Sequence, residues 1–206
     1  MRRAAIALFL ALGLAAAAAA AAAGGEALRS TRGLLARLKA AGRAEARVTT
    51  TVQDPIAGRA QTTTGRLALE LPRQARLDFA GGESLTLRDD GGDWLQPRAR
   101  QLVRSGPRSA EAAMRWSALL FESGAGPFRE RPLGKNGYEI AAIGPDSLES
   151  QRVWLGRDGL PARLELTTAA GETSSVRLGG WRFTRARGRR AFVLSAPEGF
   201  EVVELP

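Results

Sequence analysis

The chain has 206 residues, with 30 Lys and Arg against 21 Asp and Glu, a formal charge of +9, and neither cysteine nor histidine. These absences exclude disulfides, thiolate nucleophiles, Cys- or His-ligated zinc, the Ser-His-Asp triad and the commonest general base. Lys39 and Lys135 are the only lysines, so the positive charge is almost all arginine, scattered along the chain rather than gathered in one block. That pattern reads either as a GC-rich coding bias or as a footprint for an anionic partner, nucleic acid or a membrane surface. The scatter favours the former, and no nucleic-acid partner is expected.

Met1-Arg2-Arg3 precedes an uncharged run from Ala4 to Ala23, with its apolar centre at Ile6 to Leu12 and small residues after it. These are the three parts of a cleavable secretory signal. A membrane anchor is the competing reading, since a span needs ~20 apolar residues, but Ala15 to Ala23 is only weakly apolar. Cleavage is expected near Ala23, giving a signal peptide at 1–23 and one domain at 24–206. Losing Arg2 and Arg3 takes the formal charge from +9 to +7. No cysteine follows the apolar run, so a lipid anchor is not expected.

Glu26 to Ala41 reads as a helix, because Leu28, Leu34, Leu35 and Leu38 share one helical face. Gly42 is its stop signal. From Ala44 the period becomes two: Val48, Thr50 and Val52, then Leu67, Leu69 and Leu71, then Leu77 and Phe79, then Leu85 and Leu87. Gly91-Gly92 breaks the chain before Trp94, and Leu102-Val103 is a further short strand. Ser109 to Ser123 reads as a second helix with Trp116, Leu119 and Leu120 on its apolar side. Asn136-Gly137 and Asp158-Gly159 are type I′ hairpin signals, since both central residues of that turn need positive φ. Val153-Trp154-Leu155, Leu164 to Leu166, Ser175 to Leu178, Trp181 to Phe183, Ala191 to Leu194 and Val202-Val203 complete the strands. The fold class is mainly β (α+β). A meander closing into a barrel or half barrel is expected, with the second helix lying across its mouth as a lid.

Chemistry is sparse. Asp89 to Asp93 lacks the ligand alternation of a calcium loop and reads as a polar turn. No serine lies in Gly-x-Ser-x-Gly, and no glycine pair is followed by the Gly-Lys-Ser/Thr of a phosphate loop. No catalytic residue, metal or cofactor is expected, and the protein is read as a non-enzyme. Trp94, Trp116, Trp154 and Trp181 are either ordinary core or the wall of a cavity for an apolar ligand.

The order of these elements resembles the LolA family, periplasmic carriers of outer-membrane lipoproteins. The resemblance rests on Gly65 to Phe79, similar to the family's paired strands, and on Leu87 to Gln101, with Asp90, Gly91, Trp94, Pro97 and Gln101 as equivalents. It rests also on the ending from Phe192 through Pro197 and Gly199 to Val202. It implies an incomplete antiparallel β-barrel with helices covering the concave apolar face. It implies a monomeric periplasmic carrier that shields the acyl chains of a lipoprotein cargo, taking it from an inner-membrane release complex to an outer-membrane acceptor. A related lipid-binding or sensor module for another acylated ligand is the alternative. Leu71 stands where the family commonly has the arginine that holds its lid, with Arg73 and Arg76 nearby. The cavity is expected to be lined by Leu67, Leu69, Leu71, Leu77, Phe79, Trp94, Trp154 and Phe183, under a lid of Trp116, Leu119 and Leu120. Leu69→Glu is expected to abolish cargo binding without unfolding the chain.

Overall fold

The computed structural model describes residues 28–53, 60–107, 128–142, 150–167 and 173–205. Helix α1 runs Arg29–Ala41 and buries Leu34, Leu35 and Leu38, with Leu28 just before it also in the core. Gly42, at φ +97°, ends it and donates its N–H to Leu38 O at 2.7 Å. The N-terminus has no side-chain cap of its own. A carboxylate from far along the chain supplies one: Glu130 accepts from Arg29 N at 2.8 Å and Ser30 N at 3.0 Å. A negative group there satisfies orphan donors and complements the helix dipole.

Among the described residues twelve strands follow in one sheet. They are β1 (Arg43–Gln53), β2 (Ala60–Glu70), β3 (Gln74–Phe79), β4 (Ser84–Arg88), β5 (Gly91–Gln96), β6 (Gln101–Ser105), β7 (Phe128–Leu133), β8 (Gly137–Ala142), β9 (Ser150–Leu155), β10 (Pro161–Thr167), β11 (Thr173–Thr184) and β12 (Glu201–Leu205). Their spatial order is β12-β6-β5-β4-β3-β2-β1-β11-β10-β9-β8-β7, an open sheet with β12 and β7 at its edges. The expected meander is therefore interrupted twice. β1 pairs with β11 across most of the chain length, and β12 joins β6 in parallel, where every other pair is antiparallel. Edge position also explains why β7 tolerates Pro132, since an edge strand need not donate every N–H.

Two bulges decide which side chains share a face. β11 carries one extra residue against β1, between the pairs Glu45–Arg182 and Arg47–Gly179. The break falls at Gly179-Gly180, and Gly180 has φ +63°. Without it, Leu178 and Phe183 have opposite parity and point to opposite faces; with it, both reach the face that carries α1. A second bulge separates Pro161 from Arg163 in β10.

Both expected type I′ turns form differently. The β7–β8 turn places its positive φ at Gly134, and the β9–β10 turn places it at Gly159, while Asn136 and Asp158 stay at negative φ. In the second, Gly159 N donates to Gly156 O at 3.1 Å and Leu160 N to Asp158 Oδ1 at 3.1 Å. One glycine in the left-handed region is enough for these longer loops. Ala191 to Leu194 is not a strand. A 3-10 turn at Arg189–Phe192 replaces it, within a strap from β11 to β12 along the outer face of the sheet. The second expected helix, with Trp116, Leu119 and Leu120, lies outside the described residues.

Candidate functional site

Alternation gives the sheet two chemically distinct faces. On the inner face, which carries α1, cross-strand pairs place Ala44 beside Leu69, Ala46 beside Leu67, Leu67 beside Leu77 and Leu77 beside Leu85. On the other side of β1, Val48 pairs with Leu178, Thr50 with Val176, Val176 with Leu164 and Leu164 with Val153. Phe128, Ile140, Val153, Leu164, Val176 and Leu178 form one buried cluster with Leu28, Ala46 and Val48. Leu34, Leu38, Ala44, Leu69 and Leu160 form a second, under α1. Leu67 and Trp181 pack against both clusters.

What marks this face as a candidate ligand surface is the set of large apolar side chains that remain only half-buried. Leu67, Leu71, Leu77, Phe79, Leu155, Leu166, Trp181 and Phe183 are all of this kind. Trp181 and Phe183 stack with ring centroids 6.4 Å apart, and Trp181 Nε1 donates to Pro161 O at 2.9 Å. With its one polar atom satisfied, the indole offers only an apolar surface. A band of partly exposed apolar side chains is the chemistry of an apolar ligand site.

The expected lining residues distribute unevenly. Leu67, Leu77 and Phe79 share the inner face, Leu71 and Phe183 pack against the cluster under α1, and Leu69 is fully buried there among Leu34, Leu38 and Leu160. Leu69 is thus a core position, and a glutamate in its place would put a charge into dry packing. Trp94 is level with Leu85 and Val103, its Nε1 held by Glu83 Oε1 at 2.6 Å. Trp154 is placed elsewhere. It pairs with Arg163 and Gly137, one residue out of phase with the buried Val153, and the Arg163 guanidinium lies over its ring at 5.0 Å. Its place is the outer face.

Sequence reasoning missed Trp181, Leu155 and Leu166 as members of the band. Leu166 follows from plain alternation. Trp181 requires the Gly179-Gly180 bulge to be recognised.

The outer face carries charged side chains, several of them buried under the strap. Glu70, 1% exposed, accepts from Arg43 Nη1 at 2.6 Å, Arg187 N at 2.9 Å and Gly188 N at 3.0 Å. Burial lowers the Arg43 pKa, yet the hydrogen bonds to Glu70 and Glu45 outweigh it and hold the value above the ordinary arginine range. Asp93, 2% exposed, accepts from Arg88 Nη1 at 2.8 Å and Leu194 N at 3.0 Å. Arg88 also donates to Phe192 O at 2.6 Å, and Arg76 to Asp78 and to Ala191 O at 3.0 Å. Arg76, like Asp93, serves the strap on this face. Towards the β7 edge, hydrogen bonding from Arg131 holds the Glu139 carboxyl below the ordinary glutamate range, with Arg152 adding to the effect.

Among the described residues no three His, Cys, Asp or Glu side chains converge for a metal ion, and no helix is long and apolar enough to cross a membrane. No family model and no curated protein matches the chain. Among solved structures, it is similar to an uncharacterized conserved protein from Thermus thermophilus at 15% identity and TM-score 0.49, covering 85% of this chain and 99% of that one. A LolA superfamily protein from Nitrosomonas europaea is similar at 9% identity and TM-score 0.42, over 80% and 97% of the two chains. An outer membrane lipoprotein-sorting protein domain from Vibrio parahaemolyticus is similar at 14% identity and TM-score 0.46, over 81% and 95%.

Proposed function

We propose that this protein is an exported, LolA-like carrier that holds the acyl chains of a lipoprotein against its inner sheet face. In this role it moves the lipoprotein from an inner-membrane donor to an outer-membrane acceptor. The observation that carries the reading is the half-buried apolar band of Leu67, Leu77, Phe79, Leu166, Trp181 and Phe183. Each methylene taken out of water is worth ~0.8 kcal/mol, so an acyl chain crosses an aqueous compartment only under such a cover. The ordered motifs at 65–79, 87–101 and 192–202 support the same reading, as does the secretory pattern of residues 1–23.

The test is to incubate the purified mature protein with inner membranes that carry a newly made triacylated lipoprotein and its release machinery. A soluble complex that depends on the acyl chains is expected. Leu77→Glu places a charge on the band at a half-buried position, and is expected to lower complex formation at least ~tenfold while the chain stays folded. Absence of a complex beside a working control carrier removes the lipoprotein-carrier role. A stable complex that never passes its cargo on points instead to a sensor of acylated ligands.

A further inference from the structure

The inner face is not apolar throughout. Val52 pairs with Ser174, Ser174 with Leu166, and Leu166 with Gln151, so Ser174 and Gln151 lie in one row across β11, β10 and β9. Thr50 is one row nearer α1's end of β1, level with Val176. All three share parity with members of the buried apolar cluster: Thr50 with Val48, Ser174 with Val176, Gln151 with Val153. They are 5%, 8% and 7% exposed, and among the described residues Thr50 Oγ1, Ser174 Oγ and Gln151 Oε1 each lack a hydrogen-bond partner. Leaving a buried polar atom unpaired costs about 1–3 kcal/mol, and three within one small patch of a single face are hard to reconcile with a site built only for hydrocarbon. Each can be replaced by an apolar side chain of similar shape, so the fold itself does not require them.

Resting on the acyl-binding reading above, we infer that Thr50, Ser174 and Gln151 form a subsite for the carbonyl-bearing linkage of an acylated ligand. The alkyl chains then lie along Leu67, Leu77, Phe79 and Phe183. The donor inventory fits. Two hydroxyls donate to ester or amide carbonyl oxygens, and the Gln151 carbonyl accepts from an N–H or O–H of the same ligand. Spacing fits as well. Thr50 and Ser174 are diagonal neighbours on paired strands, about 7 Å apart. Ser174 and Gln151 are two strands apart, ~10 Å. This is the scale of several carbonyls gathered on one glyceryl or acylated amino-terminal group. The protein therefore selects the linkage as well as the chain.

The test is displacement of an apolar fluorophore from the full mature chain by four probes: hexadecane, a dialkyl glycerol ether, the matching diacylglycerol ester, and a triacylated lipopeptide. The ester is expected to bind ~tenfold more tightly than the ether, the gain of one to two hydrogen bonds. Thr50→Val with Ser174→Ala is expected to close that gap by weakening the ester towards the ether. The double variant is expected to melt no lower than wild type. Gln151→Met separates the two donors its carbonyl can take: a loss for the lipopeptide alone identifies the acylated amide N–H, and a loss for the diacylglycerol alone identifies its free hydroxyl. Equal affinity of ester and ether in the wild type overturns the subsite but leaves the acyl-binding reading standing, as does a gap that survives the double variant. Failure of every probe, hexadecane included, overturns both.

Discussion

Glu70 shows how much a single residue of this sheet carries. It is level with Leu69 in sequence but on the opposite face, buried, and shared between Arg43 and two backbone N–H groups of the strap. Glu70→Gln removes the charge that Arg43 is buried against. A loss of about 3 kcal/mol is expected in urea unfolding, because the buried guanidinium keeps only the part-exposed Glu45 as its charged partner; a loss below ~1 kcal/mol would mean Glu45 alone suffices. The sequence places Glu70 on the face opposite the leucines, since Leu67, Leu69 and Leu71 alternate around it. It does not say that this face is also buried, because the covering strap comes more than a hundred residues later. For the same reason Asp93 reads as part of a polar turn, yet it is buried in β5 with Leu194 N–H as its partner. Glu139 is a milder case. Its pKa is lowered in the folded chain, first by Arg131, so it stabilises the fold above the ordinary glutamate range. That stability is lost as pH falls through the lowered value. Thermal melts between about pH 5 and pH 3 should therefore drop less steeply for Glu139→Gln than for wild type.

At the scale of elements, α1 and the strands of plain alternation are legible because period alone decides them. Leu28, just before α1, and Leu34, Leu35 and Leu38 within it share a face in the sequence, and all four are buried. Elements whose facing depends on an inserted residue are not legible in this way. Trp181 and Phe183 join the apolar band only because Gly180 takes φ +63° at the bulge. A Cβ at Gly180 would lie 3.2 Å from the Arg47 guanidinium, and the left-handed conformation is itself costly for alanine. Gly180→Ala is expected to cost about 1–3 kcal/mol, and to weaken acyl-probe binding beyond what the stability loss explains, by turning both rings. Binding unchanged at that stability loss would show that the band does not need them. Trp154 is the converse. Its composition suits a cavity wall, and only the register with Arg163 reveals that it is out of phase.

For the whole molecule, Arg43, Arg76, Arg88, Arg104, Arg131, Arg152, Arg163 and Arg189 all form ion pairs with carboxylates, so much of the arginine charge is paired locally and the formal excess is spread along the chain rather than focused. Acyl-ligand affinity is therefore expected to change less than ~twofold between 50 mM and 500 mM salt, a range over which phosphate-driven binding collapses. The strap adds a consequence in time. A polypeptide that emerges N-terminus first assembles β1 to β6 before residues 187–194 exist. Until then Glu70 and Asp93 face water on what is still an uncovered surface, beside half-formed partners. The strap works as a closing latch: it completes the outer side of the sheet over Glu70 and Asp93, and a chain stalled before it keeps its leucine face but lacks its backing there.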